Sequence, residues 1–322
     1  MSNNTNRYTR LSQESIKNHI IHRYENLLID TVTIPNETTQ ACGQLEIKIG
    51  NPDPLNRHLF TKEKSPGKQV FIPIFAMEVL ALGSITCTGK LEANQMAIFT
   101  SISNFKKHKD IPTNTIIHGS VKQLSRKGNF LKYTGTLHSE SHDDYASGIM
   151  TAFFVEKNTA NTDSAAEKKI DQLPDMLDRI TISPEHYHKS KHMVVLDNIR
   201  HITPSSCIGS YTYAQDHPLT KGHFPSNPIM MGIMQWLGIE DIALFYCQHN
   251  KLSESTELYC DALLFKEDLS IVSEIKGITI SCLLNTPPHH KQCEITGTKK
   301  ILFRSMVTPG ETIYIQLTAI TQ

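Results

Sequence analysis

The chain predicts an α+β fold of two tandem units, each a central helix wrapped by an antiparallel β-sheet. Three observations predict it. The 322 residues are long for one domain and comfortable for two. Alternating apolar and polar runs surround an apolar helical stretch, and the corner Arg126-Lys127-Gly128-Asn129 between two such runs is a hairpin signal. Residues 157–167, rich in Asn, Thr, Ala and Ser, read as a linker, after which the pattern restarts near Thr181. The expected division is a first unit over 1–157, a linker over 158–180 and a second unit over 181–322.

Residues 11–24 read as a short helix capped by Ser12 or a neighbour. Residues 27–34 and 39–49 read as strands, and 66–83 carry a loop and the central helix. Strands follow at 96–105, 115–123, 129–139 and 146–156. The second half offers strands at 194–201 and 207–214, a loop, and a long helix over 229–249. There it departs from the first: residues 250–291 separate the helix from the next strand, 293–303, where the first unit has a short gap. Past its turn the second unit runs only from 313 to 322, so the final hairpin is missing. Either the chain is truncated, or strands within the insertion, such as 269–284, fill the sheet. An unpaired edge would otherwise invite aggregation.

Lys plus Arg and Asp plus Glu are both 32, so no global field favours nucleic acid or a membrane surface. Seven cysteines, an odd number with no C-x-x-C, argue against a disulfide framework or a metal cluster and point to a reducing, cytoplasmic setting. Residues 1–6 are polar, so no signal peptide is expected. The apolar stretch 229–247 is interrupted by Gln235, Glu240 and Asp241, so no membrane span is expected. Pro287-Pro288-His289-His290 has adjacent histidines but no evident third ligand, and no metal site is expected.

The segment Gly222-His223-Phe224-Pro225-Ser226-Asn227-Pro228 runs into the apolar stretch 229–237. It resembles the signature of the β-hydroxyacyl-acyl-carrier-protein dehydratases, which have the hotdog fold. In that family a Glu or Asp on the central helix follows the His by fourteen residues; here that position is Leu237, which cannot shuttle a proton. The segment 21–30 resembles the family's opening strand, and 192–199 resembles it again, with Asp30 and Asp197 lying 167 residues apart. A second motif is thus expected near residue 60. Lys64-Ser65-Pro66-Gly67-Lys68 fits it without a gap, and the position fourteen residues on is Glu78. A rival register pairs Pro73-Ile74 with Pro228-Ile229, aligns Leu82 with Leu237, and leaves no acid in either half.

The first register makes the halves complementary, because sites in this family take their His from one hotdog and their acid from the other. The resemblance implies a double hotdog with an internal pseudo-dimer, which could dimerise further. It implies one composite catalytic site from His223 and Glu78, with the Gly232 N–H as oxyanion donor. Phe224, Pro228, Trp236, Leu237 and Met77 would line the acyl tunnel, with Trp236 alternatively a core residue. Lys64, Pro73 and Leu237 would form a degenerate second site lacking base, oxyanion N–H and acid.

The implied reaction removes water from a 3-hydroxyacyl thioester carried on the phosphopantetheine of an acyl carrier protein, in fatty acid or polyketide synthesis. The resemblance implies no cofactor of the chain's own and no metal. Neutral His223 would take the C2 proton, and Glu78, its pKa raised by burial, would protonate the leaving hydroxyl. The basic run 105–109 could meet the carrier protein, or be a solvated loop. Two alternatives remain: a hotdog thioesterase using Glu78 and water, and a non-catalytic acyl-binding or scaffolding module of a lipid synthase.

Overall fold

The computed structural model describes residues 7–50, 53–92, 94–156, 179–253, 255–284 and 291–320. The first unit comprises β1 (Tyr8–Ser12), α1 (Gln13–Ile16), β2 (Thr31–Pro35), β3 (Cys42–Ile47), β4 (Thr61–Ser65), β5 (Lys68–Phe71), α2 (Ala76–Thr88), β6 (Gln95–Lys107), β7 (Ile111–Pro112), β8 (Ile117–Lys127), β9 (Phe130–His138) and β10 (Asp144–Glu156). The second comprises β11 (Ile180–Thr181), β12 (Asn198–Ile202), β13 (Ser206–Thr212), α3 (Gly232–His249), β14 (Ser255–Lys266), β15 (Ile271–Leu283), β16 (Gln292–Phe303) and β17 (Thr312–Ala319). Nearly all of the expected linker lies outside the described residues, as do His289 and His290.

Fourteen strands form one sheet in the order β1-β2-β3-β8-β9-β10-β6-β16-β15-β14-β17-β13-β12-β11, and β4, β5 and β7 form a small second sheet. The two units meet where β6 pairs antiparallel with β16, Ile102 opposite Ile301. Long strands such as β10 alternate buried and part-exposed residues along their length, as a sheet with one face on a helix must. The helices α2 and α3 are buried on almost all sides, which their near-continuous apolar composition allows. None of the described helices is long and apolar enough to cross a membrane.

The repeat is visible in hydrogen bonds. The Asp30 amide donates to the Glu46 carbonyl at 3.0 Å, and the Asp30 carboxylate accepts from the Lys48 amide at 2.7 Å. In the second unit Asp197 does the same with the Ser210 carbonyl and the Thr212 amide, each at 2.8 Å. Packing under the sheets is conserved with sizes exchanged. Leu45 pairs across the strands with Gly119 in the first unit, and Gly209 with Ile315 in the second. A helix glycine lies beneath the large partner in each case: a Cβ on Gly83 would stand 2.5 Å from Leu45, and one on Gly238 2.5 Å from Ile315. Close packing requires this compensation.

Among the described residues, the sheet of the second unit has no missing strand position. Its sheet positions match those of the first one by one: β13 for β3, β17 for β8, β14 for β9, β15 for β10 and β16 for β6. The hairpin that closes the first unit after β8 is spliced, in the second, between α3 and β16. The stretch read as an insertion is therefore the missing hairpin in a permuted place. Of the alternatives drawn from the sequence, strands filling the sheet is the one observed, and β14 was an unforeseen member.

Two further expectations are corrected. Only 13–16 of the expected helix 11–24 is α-helical, preceded by β1 and followed by a 3₁₀ turn at Tyr24–Asn26. Pro66 and Gly67 form the turn of the β4–β5 hairpin rather than an active-site loop, with Gly67 supplying the positive φ of 75°.

Candidate active site

His223 follows a 3₁₀ turn, Pro218–Lys221, whose preceding residue His217 accepts the Leu219 amide on Nδ1 at 3.2 Å. The next residue, Gly222, carries no side chain because the first unit presses on it. A Cβ there would collide with the Arg23 carbonyl and the Asn26 amide. The Arg23 N–H donates to the Gly222 carbonyl at 3.1 Å, and Asn26 Nδ2 donates to the Leu219 carbonyl at 3.0 Å. This suture brings His22 of the first unit beside His223 of the second, with ring centroids 5.1 Å apart. Phe224 takes a left-handed φ of 59°, a local strain held by packing against both imidazoles.

His223 is 7% exposed, His22 8% and Glu78 9%. A nitrogen of each His and an oxygen of Glu78 all lie within 4.8 Å of one another. The His223 Nδ1–H donates to the Ile229 carbonyl at 2.9 Å. That fixes the tautomer and leaves Nε2 with its lone pair. Burial lowers the His223 pKa to about 4, against an opposing effect of the Ile229 bond. Burial raises the Glu78 carboxyl to about 7. Near neutral pH the site therefore holds a neutral imidazole base facing a carboxyl that keeps much of its proton.

His22 is the residue that sequence reading missed as a site member. Its Nε2 stands 3.6 Å from Glu78 Oε1. The contact is not an ion pair, because burial first and His223 and Arg23 next hold His22 well below its ordinary pKa. Its Nδ1 is buried without a partner. The only sequence signal was its place in the recurring segment 21–30. The three side chains also form a set that a cation could chelate.

The cavity holding these groups, about 90 Å³, is mostly apolar, lined by Met77, Ala81, Phe99, Ile102, Met150 and Ile233 among others. Gly232 borders it as the first residue of α3, where a helix N–H has no intrahelical acceptor. A Cβ at Gly232 would stand 2.7 Å from the Phe303 ring, so any side chain there must displace that ring. Of the expected tunnel residues, Phe224 and Met77 line the cavity. Pro228, Trp236 and Leu237 do not: Pro228 is half-buried at the rim of its loop, and Leu237 is fully buried in the core. Trp236 packs edge-on to Phe105 at 4.8 Å, which settles its core role.

The mirrored position is filled by charge. Lys189 stands 167 residues after His22, the offset of the two aspartates, and its Nζ is 2.6 Å from Asp241 Oδ1. Lys62 lies beside it, 2.8 Å from Glu294 Oε2 and 4.0 Å from Glu240. Lys107 binds Glu294 and reaches Asp110 at 2.6 Å. Lys64 sits on β4, 3.5 Å from Asp110 and 3.6 Å from Glu294. So the second site does hold acids, one helical turn past Leu237, and they are bound to lysines. Pro73 and Leu237 do not border the small cavity there. The lysines pull the Glu294 carboxyl far below its usual range despite burial.

No family model matches the chain. Among curated proteins it is similar to the 3-hydroxyacyl-[acyl-carrier-protein] dehydratase FabZ of Macrococcus caseolyticus (strain JCSC5402), 30% identical over 130 residues, or 40% of this chain and 85% of the relative. Among solved structures it is similar to the dehydratase domain from the CurF module of curacin polyketide synthase, with 12% identity over 84% of this chain and 96% of that one, TM-score 0.47. It is also similar to the dehydratase heterocomplex ApeI:P from Xenorhabdus doucetiae, with 11% identity over 44% of this chain and 92% of that one, TM-score 0.37.

Proposed function

Since the chain belongs to the β-hydroxyacyl-acyl-carrier-protein dehydratase family, which has the hotdog fold, we propose that it reversibly removes water from a 3-hydroxyacyl thioester at one composite site. The substrate is carried on the phosphopantetheine of an acyl carrier protein, in fatty acid or polyketide synthesis. The observation that carries this reading is the meeting of His223 and Glu78, from different units, within 4.8 Å in one apolar cavity.

His223 Nε2 takes the C2 proton, and the Nδ1–H bond to Ile229 steadies the imidazolium that forms. The Gly232 N–H, at the positive end of α3, receives the charge growing on the thioester oxygen. Glu78 gives its proton to the 3-hydroxyl, which leaves as water. A carboxyl with a pKa of about 7 can do this at neutral pH, where an ordinary one is already ionised. His22 is a positioning residue that borders Glu78 and excludes water from its flank.

The test is conversion of a 2-enoyl thioester to the 3-hydroxyacyl product by the purified chain. His223→Ala and Glu78→Gln should each lower the rate by roughly 10²–10⁴-fold while the proteins stay folded. Wild-type rates in either variant would end this reading. Release of free thiol at a rate matching enoyl loss would favour a thioesterase instead.

A further inference from the structure

Three cysteines meet in the core of the second unit, far along α3 from Gly232. Cys247 comes from the last turns of α3, Cys282 from β15 and Cys293 from β16. All three are buried and free. Cys282 and Cys293 are register partners across the strands, with sulfurs 2.9 Å apart. Cys247 Sγ lies 3.5 Å from Cys282 Sγ, and all three sulfurs fall within 4.8 Å of one another.

We propose that Cys247, Cys282 and Cys293 form a three-thiolate site for a soft monovalent cation of the Cu(I) type. A Cys282–Cys293 disulfide would account for two of the thiols and leave the third unexplained. A metal at the centre of the triangle uses all three. With metal–sulfur bonds of about 2.3 Å, a trigonal site needs sulfurs about 4 Å apart. The three sulfurs reach that spacing by shifts of about 1 Å or less. Among the described residues no His, Asp or Glu joins the cluster as a fourth ligand. Three soft ligands without a fourth suit Cu(I); Zn²⁺ seeks four. The entry side is the small cavity bordered by Cys293.

The experiment is an anaerobic titration of the reduced full chain with Cu(I), in competition with a chromophoric Cu(I) chelator. The expected result is one equivalent retained, a thiolate-to-copper band in the near ultraviolet, and affinity at least 100-fold weaker in Cys282→Ser. Zn²⁺ should compete poorly. If Cys282→Ser unfolds, protection of the three thiols from alkylation by one equivalent of Cu(I), read by mass mapping in the wild-type chain, gives the same answer. Loss of all copper to the chelator, or retention unchanged in Cys282→Ser, overturns the proposal. So does protection of the other four cysteines instead. A Cys282–Cys293 disulfide that forms on mild oxidation with no copper retained by the reduced chain shows a redox pair and no metal site.

Discussion

Glu78→Gln separates what a buried acid costs from what it does. Burial moves this carboxyl from 4.5 to about 7. The folded-state pKa lies above the unfolded one, so the folded chain holds more protons between those values. Stability therefore falls as pH rises through that window. At about 1.36 kcal/mol per tenfold change in proton affinity, the loss above the window is on the order of 3 kcal/mol. Gln preserves the shape and cannot ionise, so the variant escapes the loss. Urea denaturation near pH 4.5 and again near pH 8.5 should show the Gln variant gaining on wild type by roughly 3 kcal/mol between the two. His223 is common to both proteins and cancels. Dehydration should collapse in the same variant, so stability and activity move in opposite directions. A stability difference independent of pH would refute the argument that desolvation holds the proton on Glu78.

The pH profile of turnover should rise with an apparent pKa near 4, from His223, and fall with one near 7, from Glu78, since the reaction needs the first deprotonated and the second protonated; a plateau through pH 9 would exclude Glu78 as the acid. His22→Phe should lower turnover less than His223→Ala and shift the falling limb, whereas an unchanged limb would make His22 a packing residue only. Gly232→Ala should cost about 1–3 kcal/mol by overpacking against Phe303 and impair turnover, seen by calorimetry and assay together. Glu294→Ala leaves Lys62, Lys107 and Lys64 without their shared partner and should destabilise by about 3–5 kcal/mol, measured in urea. A near-neutral result would show that water replaces the carboxylate.

The two-unit plan was readable because Asp30 and Asp197 sit in segments of like pattern, and because strand alternation survives in both halves. His223 and Glu78 meet, although not in the register that paired them: Gly83 and Gly238 hold matching places, which aligns Leu82 with Leu237. His22 was hidden because a histidine beside an apolar strand carries no mark of what it faces. The filled second site was hidden for a different reason. Lys62, Lys189, Asp241 and Glu294 are scattered through the chain, and local periodicity cannot tell a buried charge from a solvated one. Lys64 was read in the place of the motif's His, but Pro66-Gly67 is a hairpin turn, which puts Lys64 on a strand and not in a loop. The permuted hairpin was illegible because it changes connection order while leaving each strand's own pattern intact.

That permutation sets an order of assembly on a chain made from one end. In the first unit β8 is already in place when β9 and β10 emerge, so pairing can advance strand by strand. In the second, β14 and β15 emerge as a hairpin with no neighbour on either side. β16 then joins one flank and reaches the first unit. The slot between β13 and β14 stays open until β17 arrives to fill it. β17 is thus a keystone: before it enters, no strand pairing joins β13 to the hairpin. Because Val307, just ahead of β17, also anchors the Met230 amide at 2.8 Å before α3, the loop of His223 waits on the same closure. A nascent chain should therefore complete its first unit well before it owns a working site, and a chaperone would find its target in the unfilled slot.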